Sequence, residues 1–168
     1  ELDKIREIIK NKDKKSKVSF VSFFIKALSI VLKDLPLFNS SLSETKDYII
    51  QKSYFNIGVA VDTSRGLVVP VIKDVDKKSI KKINNELLAL ISRAKNKTLT
   101  LEDMSGGCFT ITSLGGIGGK YFTPIINPPE VAILGISKMD IKPIFINNKF
   151  KARKILPISL SYDHRIID

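Results

Sequence analysis

The side chain best suited to proton chemistry in this 168-residue chain is its single histidine, His164. Imidazole, with an ordinary pKa of about 6.5, both accepts and releases protons near neutral pH. His164 is the second residue of the segment DHRIID (163–168), so a carboxylate precedes it and Asp168 follows four residues later. A lone histidine at a strand end can equally be a structural residue. We therefore treat His164 as the first candidate for a general base.

Two hydroxyl residues, Thr112 and Ser113, come at the end of a predicted strand and are followed by a glycine-rich loop. The loop contains glycines 115, 116, 118 and 119. Their spacing matches neither a phosphate-binding P-loop nor a dinucleotide fingerprint, and no Lys-Ser/Thr pair follows them. The pattern by itself predicts a loop with positive φ angles, beside which a hydroxyl is available.

Cys108 offers an alternative chemistry, that of a cysteine/histidine acyltransferase or hydrolase, in which the Cys108 sulfur would carry the acyl group as a covalent thioester with His164 as its partner. The residue lies in the apolar run CFTI (108–111). A buried small side chain is the ordinary expectation at such a position. Metal catalysis is disfavoured, because one histidine and one cysteine far apart make no recognised ligand set.

The basic character of the chain, with a net charge of +11, raises the question of nucleic-acid binding. The basic residues are nearly all lysines, spread over polar stretches without interleaved aromatic residues. This distribution predicts a solvated surface that steers anions rather than a nucleic-acid site. No apolar run reaches the roughly 20 residues of a membrane span. A single cysteine and no signal-peptide pattern at the N-terminus favour a cytoplasmic location.

The elements that position these residues can be predicted from apolar periodicity. A long helix is expected from about Ser19 to Leu35, ending at Pro36, and a second from about Ser79. A further helix is expected over residues 1–12, and residues 37–46 are expected to be irregular. Alternating apolar residues predict strands at 55–61, 67–72, 109–112, 131–137, 144–146, 150–155 and 158–162. Mixed strands with helices on one side predict one domain, an α/β two-layer sandwich.

Four stretches, in the same order along the chain, resemble one enzyme family. DHRIID is similar to the DHRxxDG signature of the dihydrolipoamide acyltransferases, the E2 catalytic cores of 2-oxoacid dehydrogenase complexes. The other three stretches are NIGVAVDT with GLVVPV (56–63 and 66–71), GGCFTITSLG (106–115) and PIINPPEVAILG (124–135). The resemblance covers the chain from about Phe20 onward. It implies a fold like that of chloramphenicol acetyltransferase, with a mixed sheet and helices on one side.

The resemblance assigns roles to the candidate catalytic residues. His164 is implied to be the base that activates the thiol of coenzyme A. Thr112 is implied to donate a hydrogen bond to the oxyanion, with Ser113 as the next candidate for this role. Asp168 stands where the family has a second polar residue that supports the site by hydrogen bonding. Asp163 and Arg165 are expected to make structural contacts instead.

The resemblance also points to binding residues. Asp62 and Thr63 fall where family members approach coenzyme A. Phe122 and Leu134 fall where the substrate channel is lined. For these four residues, a place in the core or in a turn is an equally open interpretation, because neither residue type is diagnostic alone.

The closest resemblance within the family is to the proteobacterial pyruvate dehydrogenase type. It implies transfer of an acetyl group from S-acetyldihydrolipoamide to coenzyme A, with branched-chain or succinyl transfer as the alternative. The lipoyl group would be carried on a domain outside this chain. The implied partners are two further copies in a homotrimer, a 24-subunit core, and the E1 and E3 components.

Residues 1–168 are expected to be a catalytic core trimmed at both ends. The glycine that completes the signature, the helix after it and the segment ahead of the first helix are not in the sequence, and neither are lipoyl or peripheral-subunit-binding domains. A second alternative is therefore an assembly scaffold with an incomplete site.

Overall fold

The computed structural model describes residues 3, 5–8, 18–116 and 118–168. Two α-helices, α1 (Phe20–Asp34) and α2 (Ile80–Lys95), begin directly after Ser19 and Ser79, the positions near which helices are predicted to start. Ser19 Oγ accepts a hydrogen bond from Val21 N, and Ser79 Oγ accepts one from Lys82 N. Each serine thus caps a helix N-terminus whose backbone N–H groups have no partner within the helix. The chain leaves α1 at Pro36, where a short 3₁₀ turn (Pro36–Asn39) follows.

Eleven strands are present in the described residues, and five of them form the central mixed sheet in the order β11-β8-β7-β3-β6. Strands β3, β7 and β8 run parallel, whereas β6 and β11 are antiparallel to their neighbours and form the two edges. The remaining strands form three two-stranded hairpins. The strand bounds are β1 Ser40–Leu42, β2 Ile49–Gln51, β3 Ile57–Val59, β4 Val61–Thr63, β5 Gly66–Val68, β6 Val71–Ile72, β7 Phe109–Ser113, β8 Ala132–Ile136, β9 Asp140–Ile146, β10 Lys149–Ile155 and β11 Ile158–Tyr162.

The hydrophobic core lies between the two helices and one face of this sheet. Ile25 and Leu32 of α1 and Leu87 of α2 belong to one buried cluster with Ile57 and Ile111 of the inner strands. The alternation of side chains along each strand sends every second residue into this layer. The predicted two-layer sandwich with helices on one side is confirmed.

Two of the predicted strands are divided in the structure. The strand expected over 55–61 becomes β3 and β4, and the one expected over 67–72 becomes β5 and β6. The second division lies at Val69 and Pro70: the proline carbonyl accepts a hydrogen bond from Val59 N at 2.9 Å, but proline has no N–H to continue the ladder. The chain therefore turns out of the sheet to form the β4–β5 hairpin.

The prediction that residues 37–46 are irregular is wrong in part. It contains most of the 3₁₀ turn and strand β1, which pairs with β2 over only three residues. Such short elements lack the length on which periodicity depends. Of the helix expected over residues 1–12, positions 3 and 5–8 are helical and the others lie outside the described residues. Within the described part of the chain, every helix is too short or too polar to cross a membrane.

Candidate active site

The end of strand β7 carries Thr112 and shapes the first half of the candidate site. This strand is paired on both sides, and Thr112 lies opposite Gly135 of β8. Thr110 and Thr112 share one face, and both line a cavity of about 540 Å³ on the side of the sheet away from the helices. Phe122 lines the same cavity and packs on Gly135, where an added Cβ would lie 2.7 Å from the ring. Thr112 and Phe122 are thus brought together.

Ser113 faces the opposite side of the sheet. Its Oγ accepts a hydrogen bond from Gly115 N at 3.4 Å, and it lines a separate cavity of about 350 Å³ near Phe20. In the loop that follows, Gly118 and Gly119 have φ angles of 108° and 102°, which confirms the expected positive φ at these two positions. Because Thr112 and Ser113 point into different cavities, only one of them can act at the Phe122 cavity, and that residue is Thr112.

The segment 163–168 forms a tight turn after edge strand β11. Asp163 N donates to the carbonyl of Val131 at 2.8 Å, which ties the turn to the start of β8. Asp163 Oδ1 accepts hydrogen bonds from Arg165 N at 3.0 Å and from Arg165 Nε at 2.9 Å. The hydrogen bonds and positive charge of Arg165 lower the pKa of the Asp163 carboxyl. The prediction that Asp163 and Arg165 make structural contacts is confirmed.

His164 projects from this turn into solvent, with 73% of its side chain exposed. Ile166 and Ile167 are buried beneath the turn and hold its backbone on the core. The imidazole packs against the ring of Tyr162, with ring centroids 5.7 Å apart. Its Nδ1 lies 3.7 Å from Oδ1 of Asp168, so the expected pair is brought together but at a distance longer than a hydrogen bond.

Thr112 and His164 are far apart within one chain. Thr112 lies level with Gly135 on β8, and Gly135 lies level with Ser159 on β11. Tyr162 is three residues further along β11, so its Cα lies roughly 14 Å from that of Thr112 for ordinary strand spacings. His164 lies in the turn beyond Tyr162. A base and an oxyanion donor that act on one carbonyl must both lie about 3 Å from the reacting atoms. One chain alone does not assemble them.

The residues expected to bind coenzyme A occupy a surface hairpin. Asp62 and Thr63 lie in β4, and Thr63 Oγ1 donates to the carbonyl of Gly66 at 2.7 Å and accepts from Arg65 N at 3.2 Å. The threonine hydroxyl is therefore used to build the turn. Asp62 is exposed and its carboxylate faces solvent.

Leu134 does not share a cavity with Phe122. It lies on the helix side of β8, where it lines a groove with Leu160 and Phe38. Phe122 packs on the other face, on Gly135. Neighbouring residues of a strand point to opposite faces, so Leu134 and Phe122 line different cavities within one chain.

Cys108 is fully buried. Its Sγ accepts a hydrogen bond from Asn56 N at 3.4 Å and donates one to the Tyr54 carbonyl at 3.3 Å. Burial raises the pKa of the thiol, so the nucleophilic thiolate is disfavoured. A covalent role for Cys108 is therefore not supported. Within the described residues, no three His, Cys, Asp or Glu side chains converge as metal ligands would.

Sequence reasoning missed Glu130, a carboxyl residue that is only 6% exposed and lies close to the Thr112 cavity. It begins the apolar run EVAIL (130–134), directly after two prolines. A charged residue at the start of a strand that is otherwise wholly apolar is the sequence signal for such a group. Burial raises the pKa of its carboxyl.

The chain matches one protein family over its whole length. The family model for the catalytic domain of 2-oxoacid dehydrogenase acyltransferases matches residues 1–168. The dihydrolipoyllysine-residue acetyltransferase component of the pyruvate dehydrogenase complex of Buchnera aphidicola is 49% identical over 172 residues, covering 99% of this chain and 43% of that protein. The protein of that name from Cupriavidus necator is 50% identical over 170 residues, covering 100% and 30%. The chain thus spans less than half the length of these curated relatives.

Solved structures agree with the sequence relatives. Dihydrolipoamide acetyltransferase of Azotobacter vinelandii has a TM-score of 0.95 at 46% identity, covering 99% of this chain and 70% of that one. The cubic core of a pyruvate dehydrogenase multienzyme complex has a TM-score of 0.95 at 47% identity with the same coverage. A chloramphenicol acetyltransferase has a TM-score of 0.51 at 14% identity, covering 87% and 70%, and this likeness concerns the fold alone.

Proposed function

This chain belongs to the 2-oxoacid dehydrogenase acyltransferases, and on that basis we propose that it transfers an acetyl group from S-acetyldihydrolipoamide to coenzyme A. Acetyl-CoA and dihydrolipoamide are the products. The choice of acetyl over branched-chain or succinyl groups is supported by relatives named as acetyltransferases of pyruvate dehydrogenase complexes, at about 50% identity.

A shared spacing of three polar residues carries the proposal. The Azotobacter structure comes from work on a serine, a histidine and an asparagine in the catalytic mechanism of that enzyme, with the histidine 52 positions after the serine and the asparagine four after the histidine. Thr112, His164 and Asp168 have the same two separations here. Threonine keeps the hydroxyl of serine, and aspartate keeps a hydrogen-bonding oxygen in place of the amide.

His164 serves as the general base in the proposed reaction. A thiol with a pKa of about 8.5 is mostly protonated at neutral pH, so coenzyme A needs a base when it attacks. The imidazole takes the thiol proton, and the sulfur forms a bond to the thioester carbonyl carbon of the acetyl group. Asp168, 3.7 Å from Nδ1, supports the charged imidazolium that results.

Thr112 stabilises the oxyanion of the tetrahedral intermediate. Its hydroxyl donates a hydrogen bond as the carbonyl oxygen becomes negative, within a cavity of about 540 Å³ that excludes bulk water on one side. The intermediate collapses by breaking its bond to the dihydrolipoamide sulfur, which receives the proton held by His164. No covalent enzyme intermediate is needed, in agreement with the burial of Cys108.

Two subunits complete the proposed site. Because Thr112 lies roughly 14 Å from Tyr162, the last strand residue before the His164 turn, in one chain, the proposal requires that His164 of one copy approaches Thr112 of a neighbour. A homotrimer with three such sites, assembled into a 24-subunit core, satisfies this requirement. The cubic core among the structural relatives supports it. Lipoyl domains, E1 and E3 are the further partners proposed, in the cytoplasm.

The test is acetyl-CoA formation from coenzyme A and S-acetyldihydrolipoamide by the wild-type chain and by His164→Ala, with the assembly state measured by sedimentation. We expect His164→Ala to assemble normally and to lose about 10²- to 10⁴-fold in kcat, the usual contribution of general-base catalysis. Glu102→Gln is the matched surface control and should keep the wild-type rate, since Glu102 pairs with Lys73 away from the site. Isobutyryl and succinyl thioesters, used in parallel, test the acyl specificity.

Equal rates for the wild-type chain and His164→Ala would remove His164 as the base and contradict the mechanism. A wild-type chain that assembles without transferring any acyl group would contradict the proposed activity and favour the scaffold alternative. Faster transfer of isobutyryl or succinyl than of acetyl would contradict the proposed substrate alone.

A further inference from the structure

Glu130 lies at a junction between the two halves of the proposed site. Through the sheet it faces Thr110, two residues before Thr112 on the same face of β7. Along the chain it precedes Val131, whose carbonyl accepts the hydrogen bond from Asp163 N at the start of the His164 turn. A single buried side chain therefore adjoins the strand that carries one catalytic residue and the turn that carries the other.

The carboxyl of Glu130 lies in a cradle made by two glycines. A Cβ atom on Gly107 would lie 2.6 Å from Oε1, so any larger residue there would collide with the carboxyl. A Cβ on Gly58 would lie 2.7 Å from Thr110 Oγ1 and 3.7 Å from Oε1. The carboxyl and the threonine hydroxyl thus meet over Gly58. Close packing of this kind holds a side chain in one position.

Glu130 adjoins a turn that lies between two cavities. Asn127 and Pro128 of this turn line both the Thr112 cavity and a second, more polar cavity of about 500 Å³ that Glu130 itself lines. Glu130 N donates to the carbonyl of Asn127 at 3.0 Å, which closes a turn over residues 127–130. This backbone hydrogen bond fixes one end of the wall of the Thr112 cavity.

We propose that Glu130 is a positioning residue for acetyl transfer, which fixes the 127–130 turn between strand β7 and the His164 turn. The effect on catalysis rests on the proposed function. The effect on the position of the turn rests on the geometry alone. Neither Glu130 Oε2 nor Thr110 Oγ1 has a hydrogen-bond partner among the described residues. An ionised carboxylate would leave its buried Oε2 without the hydrogen-bond partner that a buried charge needs. We therefore expect the neutral, protonated form of Glu130 to be favoured.

The charged and titratable groups around Glu130 are few. Lys52 donates from Nζ to the Gly107 carbonyl at 3.1 Å and favours the ionised carboxyl, as do the Thr110 hydroxyl and Asn127. Cys108 is a buried neutral thiol beside it, and Tyr54 lines the same polar cavity. Desolvation of the carboxyl by burial outweighs these effects and raises the pKa of Glu130.

The test compares Glu130→Gln, Glu130→Leu and Glu130→Asp with the wild-type chain, with Glu102→Gln as the surface control. Glutamine keeps the shape of a neutral carboxylic acid, leucine removes the polar atoms, and aspartate withdraws the carboxyl by one methylene group. Two quantities are measured on assembled protein: kcat and KM for acetyl transfer, and the rate at which diethyl pyrocarbonate modifies histidine. Since His164 is the only histidine, the second signal reports on its environment without any need for activity.

We expect Glu130→Gln and Glu102→Gln to stay within about twofold of wild type in both measurements. Glu130→Leu and Glu130→Asp should lower kcat by about 10- to 100-fold with little change in the KM of coenzyme A, because displacements near 1 Å cost about that much. They should also change the rate of His164 modification. If Glu130→Leu does not fold, Glu130→Asp alone tests the proposal, because it keeps a carboxyl in the same environment.

Wild-type kcat and wild-type His164 reactivity in both Glu130→Leu and Glu130→Asp would overturn the proposal. A loss of kcat in Glu130→Gln as large as that in Glu130→Leu would contradict the expectation that Glu130 acts as a neutral carboxylic acid, because glutamine cannot ionise. If the wild-type chain transfers no acetyl group, the proposed function fails, and the His164 modification rates still decide whether Glu130 positions the turn.

Discussion

The strand that carries Thr112 and the turn that carries His164 are held in very different ways. Strand β7 pairs with β3 over residues 109–111 and with β8 over residues 110–113, and Phe109 and Ile111 belong to the buried core. The His164 turn follows an edge strand and is tied to the sheet through Asp163 and two buried isoleucines. One half of the proposed site is fixed by the sheet and the other by a local turn at its border.

The difference indicates which half of the proposed site would depend more on a neighbouring subunit. Thr112 already faces a cavity with Phe122 across from it, whereas the imidazole of His164 is largely exposed and contacts one ring and one distant carboxylate. A side chain with so few contacts is poorly oriented for catalysis, because a base must be held within hydrogen-bond reach of its proton. We therefore expect changes at Thr112 to affect chemistry alone, and changes in the turn to affect both stability and chemistry.

Next to His164→Ala, the largest effect is expected for Thr112→Val, which removes the hydroxyl and keeps the shape of the side chain. Loss of one oxyanion donor should lower kcat by about 10² to 10³ and leave the KM of coenzyme A nearly unchanged. The free energy of unfolding should change by less than about 1 kcal/mol. Ser113→Ala is the matched control, since Ser113 faces the other cavity. A larger loss of kcat in Ser113→Ala than in Thr112→Val would reverse the assignment.

A smaller effect on kcat, about tenfold, is expected for Asp163→Ala, together with a loss of about 1 kcal/mol in the free energy of unfolding. The alanine removes the hydrogen bonds that Asp163 accepts from Arg165, so the turn no longer orients His164 as firmly. Urea unfolding and steady-state kinetics measure the two losses. A variant that keeps the wild-type kcat would show that the turn is oriented by its neighbours in the assembly instead.

The contribution of Asp163 to the free energy of unfolding should decrease as the pH is lowered. Arg165 lowers the pKa of the folded carboxyl below the value of about 3.9 for an unfolded aspartate. The stabilisation is therefore complete above that unfolded value and is lost as the pH falls through the folded one. The difference in unfolding free energy between wild type and Asp163→Ala should shrink only in this acidic range. A difference that shrank near neutral pH would point to another group.

The sequence was sufficient to predict the sandwich, the two long helices and the residues with distinctive chemistry. His164 is the only histidine, and Thr112 lies in a motif that resembles the family. The preference for Thr112 over Ser113 follows from the alternation of side chains on β7, once the buried face of that strand is known. Which face of the sheet carries the helices depends on tertiary packing. It also determines which of the two cavities Leu134 lines.

Glu130 shows what sequence reasoning could not supply. Its place depends on Gly58 and Gly107, which are about 70 and 20 positions away and leave room for its carboxyl. Such a cradle has no local signature. The separation of Thr112 from His164 in one chain likewise follows from the strand order β11-β8-β7, which places two strand spacings between their strands. Contacts between residues distant in the chain set both features, whereas propensity and periodicity describe neighbours.

The smallest effect on catalysis is expected for Cys108→Ala, which tests whether any chemistry belongs to the buried strand start rather than to the strand end. Its Sγ contacts only groups that build the core, so kcat and KM should stay within about twofold of wild type. Removing the sulfur leaves the Tyr54 carbonyl without the donated hydrogen bond, and unfolding should become easier by about 1 to 2 kcal/mol. Kinetics and urea unfolding of the same preparation separate the two effects. A loss of kcat as large as that of Thr112→Val, in protein that assembles normally, would mean that the sulfur takes part in the reaction and would revive the covalent mechanism.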